Sequence, residues 1–131
     1  MSTKATGPFD VTSNRQPPYD VGPGASFARA SVTKQFHGDF EGSSTGEMLT
    51  AVTEVKGSAG YVLIERATGV LNGKQGTFVL QHSGIMTRGA ADLRLSVVPD
   101  SGTAELKGIA GTMKIDVIEG KHMYTFEYSL G

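Results

Sequence analysis

The sequence predicts an all-β domain whose antiparallel strands close into an up-and-down barrel. Three observations carry this expectation. Glycine supplies 18 of 131 residues, about twice the usual ~7%, and it falls at short intervals as turn punctuation, with no long strict repeat. Between the glycines lie Val, Ile, Thr, Phe and Tyr, residues that suit a pleated, half-buried surface. No segment joins a capping residue to the 3.6-residue apolar period of an amphipathic helix.

The elements follow in order. Lys4–Ser13 (KATGPFDVTS) forms an opening strand, with Pro8 pushing it toward an edge or a bulge. Residues 14–25 (NRQPPYDVGPGA) make a Pro/Gly-rich loop across one end of the fold. Ser26–Phe36 alternates Ala28, Ala30 and Val32 against Arg29, Ser31 and Thr33, and DFEGSSTGEMLTAVTEV is a long strand with glycine breaks. AGYVLIERATGVL turns at Asn72-Gly73 into KQGTFVLQHSGIMTR, and ADLRLSVVP then leads through the turn DSG to a short strand TAELKG. GTMKIDVIEG and HMYTFEYSL close the series. Eight or nine strands on short turns most economically form a barrel, which removes exposed edges; a sandwich is the alternative.

The length fits a single domain over residues 1–131. The absence of cysteine excludes disulfides, thiolate catalysis and Cys-held zinc or iron–sulfur centres. Twelve basic residues against thirteen acidic ones give a net charge of −1, and Lys and Arg are not clustered, so no nucleic-acid partner is expected. The N-terminal MSTKATGPFDVTS lacks the apolar run of a secretory signal, and no segment approaches the ~20 apolar residues of a membrane span. A cytoplasmic protein without a membrane partner is the expectation. No P-loop, dinucleotide fingerprint, His-Glu-x-x-His or Gly-x-Ser-x-Gly elbow occurs, so no cofactor or serine-hydrolase chemistry is anticipated.

The Asn72-Gly73 hairpin gives the sharpest local geometry, because Asn-Gly between alternating strands signals a two-residue type I′ turn. Leu71 then faces Lys74, Ala67 faces Phe78, Glu65 faces Leu80 and Leu63 faces His82. One face carries Tyr61, Leu63, Glu65, Phe78, Leu80 and His82; the other carries Val62, Ile64, Arg66, Val79, Gln81 and Ser83. A bulge at Gly69 or Gly76 would reverse the assignment.

On this register Glu65 and His82 are diagonal neighbours and the candidate site pair. A carboxylate facing a small barrel's interior is costly unless it is paired or hydrogen-bonded, and a nearby imidazole could satisfy it. Either the two are a structural polar pair, or Glu65 acts as general base or anchor and His82 as its acid–base partner. Glu47 could enter the same lumen from the next strand, or stand solvated at the rim. Tyr61, Phe78, Tyr124, Phe126 and Tyr128 could line an apolar pocket, fill the core or pack against another subunit. His37, His82 and His122 have no local metal spacing, and His122, at a turn, is expected to be exposed. A metal site gathered from His82, Glu65 and Glu47 has only weak support, and none is anticipated.

The block SGTAELKGIAG (Ser101–Gly111) resembles the Gly-Thr-x-x-Leu-x-Gly-x-x-Gly signature of allene oxide cyclase-like and dirigent-like barrels. More closely, GDFEGSSTGEM, IERATGVLNGKQGTFVLQHSG, VVPDSGTAELKGIAG and HMYTFEYSL resemble, in the same order, the bacterial domain-of-unknown-function family numbered 3224. Lys74 stands where members often carry Arg, and Ala104 interrupts a common Gly-Thr-Gly. The resemblance implies an eight-stranded antiparallel barrel of the allene oxide cyclase-like kind. Characterised barrels of that kind hold apolar small molecules and are often oligomeric, so a homo-oligomer is expected. Three functions follow: a barrel binding a small apolar molecule in its lumen, an allene oxide cyclase-like isomerase or cyclase, or a structural and assembly module with a filled barrel. Fold alone does not choose among them.

Overall fold

Three two-residue turns set the meander, each with both central residues in the left-handed region that a type I′ turn requires. They are Asn72-Gly73 (φ 46° and 84°), Arg88-Gly89 (48° and 92°) and Glu119-Gly120 (53° and 78°). The computed structural model describes residues 2–131. Its strands are β1 (Thr3–Arg15), β2 (Asp20–Val21), β3 (Ala25–Phe36), β4 (Phe40–Thr53), β5 (Ala59–Leu71), β6 (Lys74–Thr87), β7 (Ala90–Val97), β8 (Ala110–Ile118) and β9 (Lys121–Ser129). They form one antiparallel sheet in the order β1-β9-β8-β7-β6-β5-β4-β3-β2, and β1 also pairs with β3. That extra pairing closes eight strands into a barrel, with the two-residue β2 as an appendage on β3.

Closure rests on β1 serving two partners. Residues Thr3–Phe9 pair with β9, and Phe9–Arg15 pair with β3. Pro8 sits just before the hand-over and its carbonyl accepts from the His37 amide at 3.0 Å. In an antiparallel strand a residue's N and O point to the same side, so the missing Pro8 N–H faces the β3–β4 turn and costs no bond to β9. At Pro8 the opening strand is thus a local edge covered by the β3–β4 turn, and no bulge forms.

Two sequence expectations shift. Residues 14–25 are less irregular than their Pro and Gly content suggests. Strand β1 reaches Arg15, β3 begins at Ala25, and Gln16 and Tyr19 amides donate to Arg29 and Phe27 carbonyls at 2.9 Å. TAELKG is not a strand. Ala104–Leu106 is a 3-10 turn, drawn inward because Leu106 and Ile109 bury their side chains completely or nearly so. It lies against Gly76, where an added Cβ would meet the Thr103 carbonyl. Among the described residues there is no α-helix, and no helix is long and apolar enough to cross a membrane.

The hairpin register is the one the Asn-Gly turn dictates: Leu71↔Lys74, Ala67↔Phe78, Glu65↔Leu80 and Leu63↔His82. No bulge intervenes, and Gly69 pairs directly with Gly76. The end of the barrel near this turn is filled. Phe36, Phe40, Leu71, Phe78, Tyr124 and Phe126 are almost wholly buried there, with ring centroids 5.2 Å apart for Phe36–Phe40 and 5.7 Å for Phe78–Phe126. The Tyr124 hydroxyl donates to the His37 carbonyl at 2.7 Å, and the Tyr128 hydroxyl accepts from Asn72 at 2.8 Å, so both turns are tied to the core.

Candidate functional site

Moving along the barrel away from this plug, the inward positions change character. Strand β3 places Lys34 one alternate position beyond Phe36, β4 places Ser44 beyond Gly42, β5 places Glu65 beyond Ala67, and β6 places His82 beyond Leu80. Relative exposures are 4% for Lys34, 2% for Ser44, 1% for Glu65 and 6% for His82, and these are the buried polar side chains among the described residues. They form a belt across the lumen.

The belt has an order. The Lys34 ammonium donates to Glu65 Oε2 at 2.9 Å, and the Ser44 hydroxyl donates to Glu65 Oε1 at 2.7 Å. Lys34 and Ser44 are paired across β3–β4, so three neighbouring strands hold the carboxylate. Glycine at position 46 lets them close: a Cβ there would collide with the Ile64 carbonyl and crowd Glu65. With both oxygens satisfied and a counter-ion in place, the buried charge meets the condition for tolerance in a low-dielectric interior. The Lys34 ammonium also lies 5.6 Å from the Phe9 ring centroid, within cation–π range.

His82 is held from the other side. Its Nε2 lies 2.8 Å from the Tyr61 hydroxyl, with the rings edge to face at 5.2 Å. Gly84 makes this approach feasible, since a side chain there would collide with the Tyr61 ring and Leu93. Burial lowers the His82 pKa to about 4, with the Lys34 charge adding to the drop and Glu65 opposing it. The imidazole is therefore neutral at pH 7. Burial, then the Glu65 charge, raises the Tyr61 phenol, which stays protonated. The enclosed His82 Nδ1 has no hydrogen-bond partner among the described residues.

Beyond the belt the lumen opens into a cavity of about 320 Å³. Lys34, Tyr61 and His82 are its polar floor, and Val32, Met48, Leu63 and Ile115 belong to its apolar wall. Glu65 is not on its surface. A side recess of about 400 Å³ reaches His82 between β7 and β8. It exists because those strands pair only at Ser96↔Thr112 and splay apart toward the open end.

Comparison with known proteins places this barrel. The family model described as "Protein of unknown function (DUF3224)" matches residues 5–128. The chain belongs to that family. A crystal structure of a DUF3224 protein of unknown function from Shewanella oneidensis MR-1 is similar over 98% of this chain and 97% of that one, with 50% identity and a TM-score of 0.94. No curated protein matches.

In this DUF3224 barrel Glu65 and His82 share the inward face, yet no hydrogen bond joins them; Lys34 is the partner of Glu65 and Tyr61 that of His82. Glu47 lies outside the lumen, 2.9 Å from Arg29 on the outer surface. Even-numbered residues face inward on β4, which turns 47 outward and leaves the His82–Glu65–Glu47 constellation unassembled. Phe78, Tyr124, Phe126 and Tyr128 face inward but belong to the plug, and of the proposed aromatics only Tyr61 touches the cavity. His122 is half-buried against Phe9, ring centroids 5.2 Å apart, at the cavity wall. Lys34 was missed, although the signal was present: extending the Ala28, Ala30, Val32 alternation by one step puts it on the inward face.

Proposed function

We propose that this DUF3224 protein binds a small, mainly apolar molecule in the open half of its barrel. The cavity of about 320 Å³ carries the proposal, because the opposite half of the same lumen is filled by side chains. Its size sits at the lower end of the ~300–1,000 Å³ range of ligand pockets. A void of ~150 Å³ already accepts benzene, so a molecule of one or two rings is the natural occupant. Apolar walls over a few convergent polar groups are the usual composition of such sites, and small barrels often hold one such ligand. The Ser101–Gly111 likeness to allene oxide cyclase-like barrels, whose characterised members hold apolar molecules, supports the same reading.

Native mass spectrometry of the purified protein, together with binding of the two-ring hydrocarbon tetralin followed by methyl NMR, tests the proposal. We expect a bound species or tetralin-induced shifts at Leu63 and Val32, both abolished by Met48→Trp, which fills the cavity. Wild type that carries nothing and shows no shifts would sink the reading. Turnover of an identified ligand would move the protein to the isomerase or cyclase class; an unchanged ligand after prolonged incubation keeps it a binder.

A further inference from the structure

Hydrogen-bond capacity at the cavity floor is lopsided. Glu65, the one carboxylate of the belt, has both oxygens engaged, by Lys34 and Ser44, and lies behind the cavity surface. Lys34 is on that surface. An ammonium has three donors, and among the described residues Glu65 accepts from only one of them. The His82 ring shares the floor, with Nε2 committed to Tyr61 and Nδ1 without a partner. When the Tyr61 phenol donates to Nε2, the neutral ring's proton resides on Nδ1, which is enclosed by protein, so the ammonium supplies the spare donors. The floor has donors to spare and its carboxylate is used up.

Charge narrows the ligand further. Lys34 and Glu65 cancel at 2.9 Å, and the neighbouring imidazole is neutral at pH 7. An anionic ligand would set two carboxylates against one buried ammonium, and a cationic ligand would meet that ammonium directly; both are unfavourable in a low-dielectric site. A hydroxyl could also accept from the ammonium, but it brings a donor of its own that must find a second partner, such as the Tyr61 oxygen at the edge of the floor. A neutral carbonyl accepts without donating and carries no net charge.

Resting on the lumen-binding reading above, we propose that the ligand is an apolar one- or two-ring molecule bearing a neutral carbonyl, whose oxygen accepts a hydrogen bond from Lys34. His82 and Tyr61 form the polar side of the same subsite, and Glu65 acts as a positioning residue that holds the ammonium at the floor.

Four probes on one skeleton test this: 1-tetralone, 1-tetralol, tetralin and tetralin-1-carboxylate, titrated by calorimetry with NMR detection at Leu63. A hydrogen bond to a charged donor is strong enough for 1-tetralone to bind wild type at least about tenfold more tightly than tetralin. The carboxylate should bind more weakly than the ketone. Lys34→Met alone strands the Glu65 charge, so the matched variant is Lys34→Met with Glu65→Leu, expected to keep tetralin and lose the ketone preference. A measurement independent of that variant's folding is the infrared carbonyl stretch of 1-tetralone bound to wild type. It should fall below its value in an apolar solvent. Equal affinities for ketone and hydrocarbon, an unshifted stretch, or tightest binding of the carboxylate would overturn the carbonyl assignment while leaving lumen binding intact. Failure of all four probes to perturb Leu63 would overturn both.

Discussion

At the closed end of the barrel, Phe36, Phe40, Phe78, Tyr124 and Phe126 meet ring to ring and leave no ligand-sized space, whereas at the open end Val32, Met48, Leu63 and Ile115 surround about 320 Å³. The backbone rule is the same in both regions: every second residue points inward. Side-chain size makes the difference. Five rings on four strands interdigitate at the closed end, and the 3-10 turn adds Leu106 and Ile109; at the other end smaller aliphatic groups leave the centre unfilled. Between them lies the Lys34–Ser44–Glu65 belt, with His82 beside it. One half of the barrel can therefore supply stability while the other keeps open space, as the proposed lumen binding requires.

The largest expected effect follows from removing part of the plug. Phe78→Ala deletes a fully buried ring flanked by Phe40 and Phe126, and should cost about 3–5 kcal/mol in urea unfolding at pH 7.5. Met48→Ala, on the cavity wall, should cost about 1 kcal/mol or less, because its side chain is only half-buried and already borders unfilled space. Equal losses at the two sites would mean that the open half is packed as tightly as the closed half.

The belt comes next. Lys34→Met leaves Glu65 without its counter-ion and should lose about 3 kcal/mol, the lower end of the usual cost, because Ser44 still donates to one carboxylate oxygen. The outer pair provides the contrast. Arg29 and Glu47 meet at the same 2.9 Å, but with side chains 60% and 50% exposed, and Arg29→Met should lose less than about 1 kcal/mol. Distance is matched, so the gap between the two variants isolates burial. Comparable losses would place Lys34 in solvent and remove it from the floor of the site.

These contrasts also explain what could be read from the sequence. The Asn72-Gly73 turn fixed one pairing, and period-2 alternation carried it outward to the shared face of Glu65 and His82. Alternation reports which face a residue occupies, not its depth along the barrel axis. Hence Phe78, Tyr124, Phe126 and Tyr128 could be grouped by face, but nothing local distinguished plug from cavity wall or subunit contact, and the structure puts them in the plug. The lumen alternative for Glu47 failed for a different reason: the parity of β4 depends on the His37–Asp39 turn and on its pairing with β3, which the glycine-broken run Phe40–Thr53 did not reveal. Lys34 lies 31 residues from Glu65 in sequence, and only barrel closure brings strands β3 to β5 around one carboxylate. TAELKG matched a strand in composition, yet the chain needed Leu106 as a plug.

The smallest of the three contrasts is a pH dependence confined to the open half. The folded imidazole of His82 titrates at about 4, against 6.5 for the ordinary side chain. As pH falls below about 6.5 the unfolded chain takes up a proton that the folded chain refuses, so stability declines, and the decline ends near pH 4, where both states are protonated. Above pH 6.5 His82 contributes no slope. Between pH 7.5 and pH 5 its share amounts to roughly 2 kcal/mol, from about 1.5 pH units of differential protonation. Carboxylates add their own acid sensitivity, so the useful quantity is a difference. His82→Gln can still hydrogen-bond Tyr61 but does not titrate, and its stability should fall by roughly 2 kcal/mol less than that of wild type over this range. Lys34, Glu65 and Tyr61 face the ring and are unchanged in the variant. Identical pH profiles would mean that His82 titrates normally, which requires water at the belt and a cavity floor too wet to select a guest by a single hydrogen bond.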